Sequence, residues 1–539
     1  MTSFNADRML CGRMDGYSVQ EIEAKYLVLS GKRLERMLDR MQQAMAWAGF
    51  RIQPKGETLQ RDTYYDSDWQ LRQLGWSFRL RRSGNTQKVT LKELTRSRGG
   101  VFSRGEVEQT LWQPACGVDA LPAGAVHERL EQMLRPGSRL VPLFEIHNHR
   151  RTYLLSHPDH PRAQVEMALD QGQVAAASTL AFTEIEFELR QGSHEVLSDL
   201  LAIADEQSGL IRARLSKFER GLIAAGCQLG RRAPGGIGHV DAQTSWRHLA
   251  RTHLKRQLHE LKLYEPYAWE SLHPEGVHQM RVATRRARAA LRTFKDVLPE
   301  AEGNALEQDI RWLGRVLGDV RDLDVHLQQI DRYRSKLGDK ATHALGLYQG
   351  QLLKQRRVAQ RALLDALASD NYHTLVTDYN ALLSAATQTD PARPSPTVGE
   401  IADQTVAPLL DRVQRRGRAL DGTSPDKKLH RLRIDIKRLR YQLEYLLPAY
   451  PAQLTDLCAT LRSLQDLLGD HQDACVARAQ LTAYRRRYLR NAIDRKVFKK
   501  LDRREAKRAQ RLRKRFAALW AEFEAGSAGL LDKLASTAA

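Results

Sequence analysis

The segment Glu21-Ile22-Glu23-Ala24-Lys25 most constrains what this chain can fold into. In an extended strand, successive side chains point to opposite faces, so Glu21, Glu23 and Lys25 share one face, with Ile22 and Ala24 on the other. Two carboxylates and an ammonium suit a wet, charged cavity, in which carboxylates hold a hard divalent cation and the lysine holds an anion. On its own, the segment is more typical of the solvated face of a half-buried strand.

The same alternation recurs downstream. Charges share one face in later strand-like segments, at Arg79 and Arg81; Lys88 and Lys92; Arg104, Glu106 and Glu108; Glu166 and Asp170; and Glu184, Glu186 and Glu188. Closing an antiparallel sheet removes its edges and encloses a lumen. Residues 31–48 read as a helix that is apolar on one side. The pattern therefore predicts a closed barrel with apolar faces packed outward and charges facing a central tunnel.

Buried charges are tolerated only when they are paired, solvated or bound to ions. The predicted tunnel would contain both signs, and a cation chelated to a polyphosphate matches both signs at once. Phosphoryl transfer needs mainly positioning and neutralisation of charge on the phosphate oxygens. Arginine suits forked phosphate contacts. The residues themselves therefore favour chemistry on a polyphosphate, and none of them suggests a covalent nucleophile.

The Glu21-x-Glu23-x-Lys25 motif resembles the signature of the CYTH, or triphosphate tunnel metalloenzyme, superfamily. Further residues follow in that family's order, namely Arg79-Leu80-Arg81, Lys92, Arg104, Arg150, Ala168-Leu169-Asp170, Glu184-x-Glu186-x-Glu188 and Leu215-Ser216-Lys217. The resemblance covers about residues 18–225. It implies an eight-stranded antiparallel tunnel that acts on triphosphates with Mg²⁺ or Mn²⁺.

The resemblance also implies roles for residues. The substrate would be gripped by Lys25, Arg79, Arg81, Lys92, Arg104, Arg150 and Lys217, with Lys217 as a cap. Glu21 and Glu23 would hold the metal together with two of the three glutamates Glu184, Glu186 and Glu188. Which two of the three contact the metal stays open. Asp170 would hold a second metal or orient the attacking water. We choose Arg150 over Arg151, which has the opposite parity. His147 and His149 read as solvated side chains, with a metal site as the alternative.

The charge is distributed unevenly along the 539 residues. Residues 1–230 carry 30 Lys and Arg against 28 Asp and Glu, a net of +2; subtraction from the totals of 85 and 64 leaves 55 against 36, a net of +19, for the remainder. A polyanionic partner is the leading expectation for the basic part. The five cysteines form no Cys-x-x-Cys pair, so we expect reduced thiols that belong neither to a zinc site nor to a disulfide framework. Mean hydropathy is −0.52 and Met1–Asp15 holds no apolar signal segment, which favours a cytoplasmic protein.

A linker and an internal repeat organise the basic part. Residues 226–245 contain Pro234 and several glycines and read as a linker, and residues 387–399 form a second break. His278-Gln-Met-Arg281 corresponds to His430-Arg-Leu-Arg433, an offset of 152 (430 − 278). Leu317-Gly318-Asp319 echoes Leu468-Gly469-Asp470, an offset of 151 (468 − 317). We therefore expect two related helical halves, at about 246–387 and 400–525.

Each copy carries a basic helix. The helical spacing places His278, Arg281, Arg285, Arg288 and Arg292 in one stripe, and His430, Arg433, Lys437 and Arg440 in the other, with Arg286 and Arg438 beside them. A charged stripe is usually a solvated face. Unrelieved positive charge in two copies costs self-repulsion, which favours a bound anion.

These motifs resemble the CHAD domain, a family named for its histidines, over about residues 240–525. The resemblance implies two helical bundles whose basic surface binds inorganic polyphosphate. Asp319, Asp322, Asp324, Asp470 and Asp473 would orient arginines, bind a cation or belong to helix ends. Residues 485–515 read as one further long basic helix, whose role stays open among a coiled-coil arm, a polyanion face and a solvated hairpin.

The sequence therefore predicts an α+β protein, with an eight-stranded tunnel at 18–225, a linker at 226–245 and a helical domain at 246–525. The predicted function is metal-dependent hydrolysis of inorganic triphosphate to diphosphate and phosphate, with polyphosphate bound by the helical part. Alternatives are a polyphosphate binder with little catalysis, and a tunnel enzyme for nucleoside or thiamine triphosphate or an adenylate cyclase. We expect no membrane and no nucleic-acid partner, and an association with polyphosphate granules.

Overall fold

The structure, a computed structural model, describes residues 19–29, 34–95, 100–111, 121–177, 179–227, 239–337, 339–386, 395–421 and 423–536. It divides into two compact units, Met1–Arg231 and Arg232–Ala539. The glycine-rich centre of the expected linker and most of the second expected break lie outside the described residues, as do Cys11 and Cys116. No helix among the described residues has the length and hydropathy that a membrane span requires.

The first unit is a closed antiparallel barrel. Its strands are β1 (Val19–Val28), β2 (Arg51–Asp66), β3 (Trp76–Ser83), β4 (Thr86–Glu93), β5 (Val101–Leu111), β6 (Val141–His157), β7 (His160–Ala175), β8 (Leu180–Gln191) and β9 (Leu210–Arg212). The pairing order is β5-β4-β3-β2-β6-β7-β8-β1, and β1 closes the ring by pairing with β5, while the short β9 adds to β1. The predicted eight-stranded antiparallel barrel is confirmed.

Helices cover the outer face of the barrel. They are α1 (Leu34–Trp47), α2 (Gln70–Gln73), α3 (Ala125–Met133) and α4 (His194–Asp205). A fifth helix, α5 (Lys217–Ala224), instead packs on inward-facing side chains: its Phe218 contacts Tyr64, and Lys217 and Phe218 line the enclosed cavity. The predicted apolar side of α1 is buried, and with α4 it packs on the outward residues of β1, β7 and β8, such as Tyr26, Met167 and Phe187. On another part of the barrel, α3 packs on Phe78 and Leu91. Along each strand, the apolar side chains of the alternating pattern therefore point outward, and the charged side chains point inward.

The second unit is helical. Its helices are α6 (Trp246–Glu270), α7 (Pro274–Thr293), α8 (Glu300–Leu337), α9 (Asp339–Ala368), α10 (Asp370–Ala385), α11 (Val398–Arg418), α12 (Asp426–Leu446), α13 (Pro451–Tyr488), α14 (Ala492–Ser527) and α15 (Leu530–Ser536). One hydrophobic core contains residues from every helix from α6 to α15. A second core joins α8 and α9 to α13 and α14 through Tyr333, Tyr348 and Phe498.

The repeat expected from the sequence is visible in the packing. The basic helices α7 and α12 are each followed by a helix of 38 residues. A Cβ added at Gly318 would lie 3.5 Å from Nε of Arg281, and one at Gly469 would lie 3.6 Å from Nε of Arg433. In both copies the arginine side chain thus packs against the glycine, which has no side chain of its own to occupy that space. The Leu-Gly-Asp motifs are inside α8 and α13, so the helix-end interpretation of their aspartates was wrong.

Residues 485–515 are not the one helix that was predicted but follow the hairpin alternative. Helix α13 ends at Tyr488 and α14 begins at Ala492, with the side chain of Asn491 accepting from the backbone N–H of Ile493 as an N-cap. Because α14 packs back on α13, the segment forms a helical hairpin. Its Arg508 bonds Asp470 at 2.6 Å.

Candidate functional site

The inner face of the barrel encloses a cavity of about 630 Å³. Alternation of side chains along the strands places the following charged groups on its wall: Glu21, Glu23, Lys25, Arg79, Arg81, Lys88, Lys92, Arg104, Glu106, Glu108, Arg150, Glu186, Glu188 and Arg190. The start of α5 adds Lys217. The larger nonpolar contributions come from Tyr64, Leu94, Leu189 and Phe218. The cavity is therefore polar, and charges of both signs face each other across it.

The carboxylates of β1 are bonded to cations from neighbouring strands. Nζ of Lys92 lies 2.8 Å from Glu21, and Arg104 donates to Glu21 at 3.1 Å and to Glu23. Lys25 lies 3.1 Å from Glu23. Burial alone would raise the pKa of Glu21, but Lys92 and Arg104 outweigh burial and hold that pKa well below its usual range. The opening motif thus forms an ion-paired network inside the barrel.

Asp62 of β2 fixes the two arginines of β3. Its carboxylate accepts from Nε and Nη2 of Arg81, both at 2.7 Å, and lies 3.3 Å from Nη1 of Arg79. Burial would raise the pKa of Asp62, yet Arg81 and Arg79 lower it below its usual range. Asp62 was not predicted as a site residue, because its same-face neighbours, Gln60 and Tyr64, are uncharged and show no charge alternation.

Three buried carboxylates surround Lys217 at the start of α5. Its Nζ lies 2.6 Å from Asp170, 2.7 Å from Glu184 and 2.9 Å from Glu186. One oxygen of each carboxylate lies within 4.8 Å of the others, a spacing that suits a cation, and here the ammonium is that cation. Burial would raise the pKa of Asp170, but Lys217 and Arg150 lower it to about 2. Asp170 and Glu184 are not part of the cavity wall.

Arg220 completes this region and was also missed. Its guanidinium pairs with Glu184, and both side chains are fully buried. The short helix α5 brings Lys217 and Arg220 inward together, and it starts with a capping box between Ser216 and Glu219. The capping box was readable as Ser-x-x-Glu at residues 216–219, but the sequence does not show which strand receives Arg220.

Glu188 marks the place where negative charge is least compensated. It lies directly opposite Glu23 in the register of β8 and β1, and its nearest cation is Arg190, at 2.6 Å. Burial raises the pKa of Glu188 to about 7, Arg190 opposes the shift, and Glu21 and Glu23 add to it. A group of carboxylate oxygens with excess negative charge fits a hard divalent cation. Glu21, Glu23, Glu186 and Glu188 are therefore the carboxylates of β1 and β8 on the cavity wall that could hold a metal.

The predicted substrate-binding cations all line the cavity. Arg150 donates to Asp170 at 2.8 Å and 2.6 Å, whereas Arg151 pairs with Glu35 on the outer face at 2.8 Å. His147 and His149 also lie on the outer face, bonded to Glu145 and Glu57. Of the predicted metal ligands, Asp170 and Glu184 hold cations behind the wall, and the remainder face the cavity.

In the second unit, helix packing brings the two basic stripes together. Nε of Arg285 donates to the hydroxyl of Tyr441 at 2.5 Å, and the hydroxyl of Tyr445 donates to the carbonyl of Arg286 at 2.9 Å. Burial lowers the pKa of Lys437 to about 7, and Arg285, Arg433 and Arg281 lower it further. We name Arg281, Arg285, Arg433 and Lys437 the central basic cluster.

The other predicted polyphosphate-binding residues divide by their partners. Glu307 neutralises Arg288 (3.4 Å) and Arg292, Glu444 contacts Arg286 (3.5 Å) and Arg440, and Asp435 lies 3.8 Å from Arg438. By contrast, the acid nearest to Arg281 is Asp322, at 3.9 Å. His278 and His430 are half-buried on the same stripes, and burial lowers the pKa of His278. The positive charge is therefore least compensated at the central basic cluster.

Comparison with known proteins finds two families in this chain. A model of the CYTH domain matches residues 19–222, and a model of the CHAD domain matches residues 252–482. An uncharacterised protein of Mycobacterium tuberculosis (strain CDC 1551 / Oshkosh) is 30% identical over 213 residues, which are 38% of this chain and 40% of that protein.

An inorganic triphosphatase of Haemophilus influenzae is 26% identical over 251 residues, 46% of this chain and 63% of that protein. The crystal structure of the CHAD domain from the plant Ricinus communis matches with 26% identity and a TM-score of 0.40, over 56% of this chain and 96% of that one. The chain thus spans about two fifths to two thirds of the length of these curated relatives. The barrel is a CYTH domain, of the triphosphate tunnel type, and it is followed by a CHAD domain.

Proposed function

We propose that the barrel hydrolyses inorganic triphosphate to diphosphate and phosphate, with a divalent cation, Mg²⁺ or Mn²⁺. The observation that carries this proposal is the convergence of all seven predicted substrate-binding cations on one cavity, which the carboxylates of β1 and β8 also line. The cations are Lys25, Arg79, Arg81, Lys92, Arg104, Arg150 and Lys217. The relative named inorganic triphosphatase supports the same substrate class.

The cations of this chain would bind and orient the substrate. Arg81 is held by two bonds to Asp62, which leaves its guanidinium little freedom and fixes its position before the phosphate arrives. Lys217 and Arg150 are fixed in the same way by Asp170. Preformed cations lower the cost of reorganisation when negative charge moves between phosphate oxygens. Water is the attacking group in this proposal.

The metal would be held by Glu23 and Glu188, with Glu21 and Glu186 as the further carboxylates. When bound, the cation supplies charge neutralisation on the phosphate oxygens and the leaving group. The carboxylate oxygens are hard ligands, which favours Mg²⁺ or Mn²⁺ over softer metals.

The cavity wall favours inorganic triphosphate over triphosphates with an organic group. The nonpolar side chains on it, among the described residues, are scattered among more numerous charged ones. A nucleobase or a thiamine ring would need a continuous apolar or aromatic wall. Adenylate cyclase and thiamine-triphosphatase activities are therefore the less supported alternatives.

A substrate panel tests the proposal. Purified protein is assayed for phosphate release from triphosphate, longer polyphosphates, ATP and thiamine triphosphate, each with Mg²⁺, with Mn²⁺ and with a chelator. We expect triphosphate to have the highest kcat/KM and the chelator to abolish turnover. Arg79→Ala should lower kcat/KM, and its matched control Arg151→Ala, on the outer face, should not. A higher kcat/KM for ATP, or turnover in the chelator, would contradict the proposal.

For the helical unit, we propose binding of inorganic polyphosphate at the central basic cluster. The cluster borders a cavity of about 690 Å³ whose basic side chains include Arg285, Arg288, Arg292, Lys295, Lys437 and Arg438. Grouping Lys437 with three arginines costs self-repulsion, and a chain of phosphates would relieve it. The aromatic side chains that border this cavity, Trp246 and Tyr441, are buried and so offer little ring surface for base stacking, which disfavours single-stranded nucleic acid.

Retention of long-chain polyphosphate on the full chain tests this second proposal. The double variant Arg285→Ala/Arg433→Ala should bind at least tenfold more weakly, because two contacts to phosphate are lost. Arg361→Ala and Arg415→Ala, which remove exposed arginines paired within their own helices, are matched controls. Displacement of polyphosphate by RNA at equal phosphate concentration would favour nucleic acid instead.

A further inference from the structure

A cluster of three different ligand types lies in the second unit, away from the central basic cluster. Asp426, His471 and Cys475 each place one ligand atom within 4.8 Å of the others. His471 and Cys475 are four residues apart on α13, so they share one face of that helix. Asp426 is the first residue of α12. Two helices thus bring an imidazole, a thiol and a carboxylate to one point.

The cluster already holds a cation. Nη2 of Arg513, from α14, lies 2.6 Å from Oδ1 of Asp426, and its Nε lies 3.4 Å from Nε2 of His471. That Nε2 lies 3.5 Å from the same carboxylate oxygen. The imidazole is almost completely buried, whereas Asp426 is about half exposed, so the site is anchored on the inside and accessible from the outside.

We propose that Asp426, His471 and Cys475 bind a borderline-soft transition metal of the Zn²⁺ type, which takes the place of Arg513. Nitrogen, thiolate and carboxylate ligands are those that Zn²⁺ selects, and three protein ligands leave a fourth position for water. On binding, the Cys475 thiol loses its proton to solvent, the Sγ–metal bond forms, and Arg513 leaves Asp426. The hard cations proposed for the barrel do not favour a thiolate.

The internal repeat provides a comparison within the chain. By the offsets of 151 and 152, His471, Cys475 and Asp426 correspond to Val320, Asp324 and Pro274 in the first copy. There, Val320 is core, and Asp324 pairs with Arg356. At the corresponding positions, the first copy therefore has an ion pair between an arginine and a carboxylate but lacks the histidine and the thiol that could bind a metal. The histidine and the thiol are not needed to build the repeat.

The test is titration of the full, reduced chain with Co²⁺ in excess Mg²⁺. The protein carries no polyhistidine tag, which would itself bind Co²⁺. A cobalt–thiolate bond gives a near-ultraviolet charge-transfer absorption that oxygen ligands do not produce. We expect this absorption to saturate at one Co²⁺ per chain and to be reversed by Zn²⁺. Cys475→Ser should abolish it, and Cys458→Ser, which alters another buried thiol, should leave it unchanged.

Two further variants keep the test decisive if Cys475→Ser folds poorly. His471→Gln should retain a thiolate absorption but bind Co²⁺ at least tenfold more weakly, because one of three ligands is lost. Arg513→Ala should bind more tightly, since it removes the competing cation. Persistence of the absorption in folded Cys475→Ser, or its absence from the unaltered chain, would overturn the proposal. Neither result depends on activity in the barrel.

Discussion

Glu23 of β1 and Glu188 of β8 are direct cross-strand partners on the inner face of the barrel. Like charges in directly opposite positions repel each other, and such a pair is destabilising in an ordinary sheet. Arg104 and Lys25 compensate Glu23, whereas burial raises the pKa of Glu188 to about 7. A bound cation would stabilise this pair, which connects the register of the strands with the proposed metal dependence.

We predict that Asp62→Asn weakens substrate binding. The change removes the negative charge that holds Arg79 and Arg81 without altering the size of the side chain. Charge-assisted hydrogen bonds contribute roughly 1.5–3 kcal/mol, so KM for triphosphate should rise about 10- to 100-fold, with a smaller change in kcat. Steady-state kinetics measure both. Asp199→Asn, on the exposed side of α4, is the matched control. An unchanged KM in Asp62→Asn would show that substrate binding does not need the ion pairs of Asp62 with Arg79 and Arg81.

We predict that polyphosphate binding weakens as pH rises above 7. The pKa of Lys437 is lowered to about 7 by burial and by neighbouring arginines, so the free protein loses this charge above pH 7. A polyanion favours the charged form and raises the pKa, so binding takes up a proton. Affinity for long chains, measured by titration from pH 6.5 to pH 9, should fall. In Lys437→Arg the dependence should be flatter, and an identical slope in both proteins would contradict the role of Lys437.

We predict that Arg220→Met destabilises the barrel strongly. Glu184 would remain buried without its guanidinium partner, and breaking a buried ion pair of this kind costs about 3–5 kcal/mol. Urea unfolding, monitored by circular dichroism at β-sheet wavelengths, measures the loss of stability of the barrel. The double variant Arg220→Met/Glu184→Gln should recover part of the stability, because it removes the uncompensated charge. Equal stability of Arg220→Met and the unaltered chain would mean that water reaches Glu184.

We predict opposite effects for two helical glycines. A Cβ at Gly417 of α11 would lie 1.9 Å from the ring of Trp520, so Gly417→Ala should lower the free energy of unfolding of the helical unit by about 1–3 kcal/mol. Gly303 of α8 has no atom within 4 Å of such a Cβ, so Gly303→Ala should stabilise by about 0.5–1 kcal/mol. Circular dichroism at helical wavelengths during urea unfolding measures both, and loss of stability in the two variants alike would contradict the prediction.

The inward face of the strands was predictable from sequence because the side-chain period of a strand is two. That period also distinguishes Arg150, which faces the cavity, from Arg151, which faces Glu35. Asp62 could not be found in this way, since an isolated charge produces no alternation. Its importance arises from the pairing of β2 with β3, which brings it beside Arg79 and Arg81.

The division of the basic helices into compensated and uncompensated arginines also needed the structure. Glu307 and Glu444 are 15 and 158 residues away from the arginines that they contact, Arg292 and Arg286. Helical spacing within α7 cannot show such partners. The break at residues 489–491 was missed because charge runs continue across it, and only Asn491 provides a capping signal.

We propose that charges at alternate positions of the early strands act together in one metal-dependent site. The most direct measurement compares kcat/KM for triphosphate, as a function of Mg²⁺ concentration, between Glu23→Gln and Glu35→Gln. Glu35 is an exposed carboxylate bonded to Arg151 on the outer face, so its loss controls for charge. We predict that Glu23→Gln loses at least about 100-fold in kcat/KM and that Glu35→Gln is unchanged. Full Mg²⁺-dependent activity in folded Glu23→Gln would contradict it.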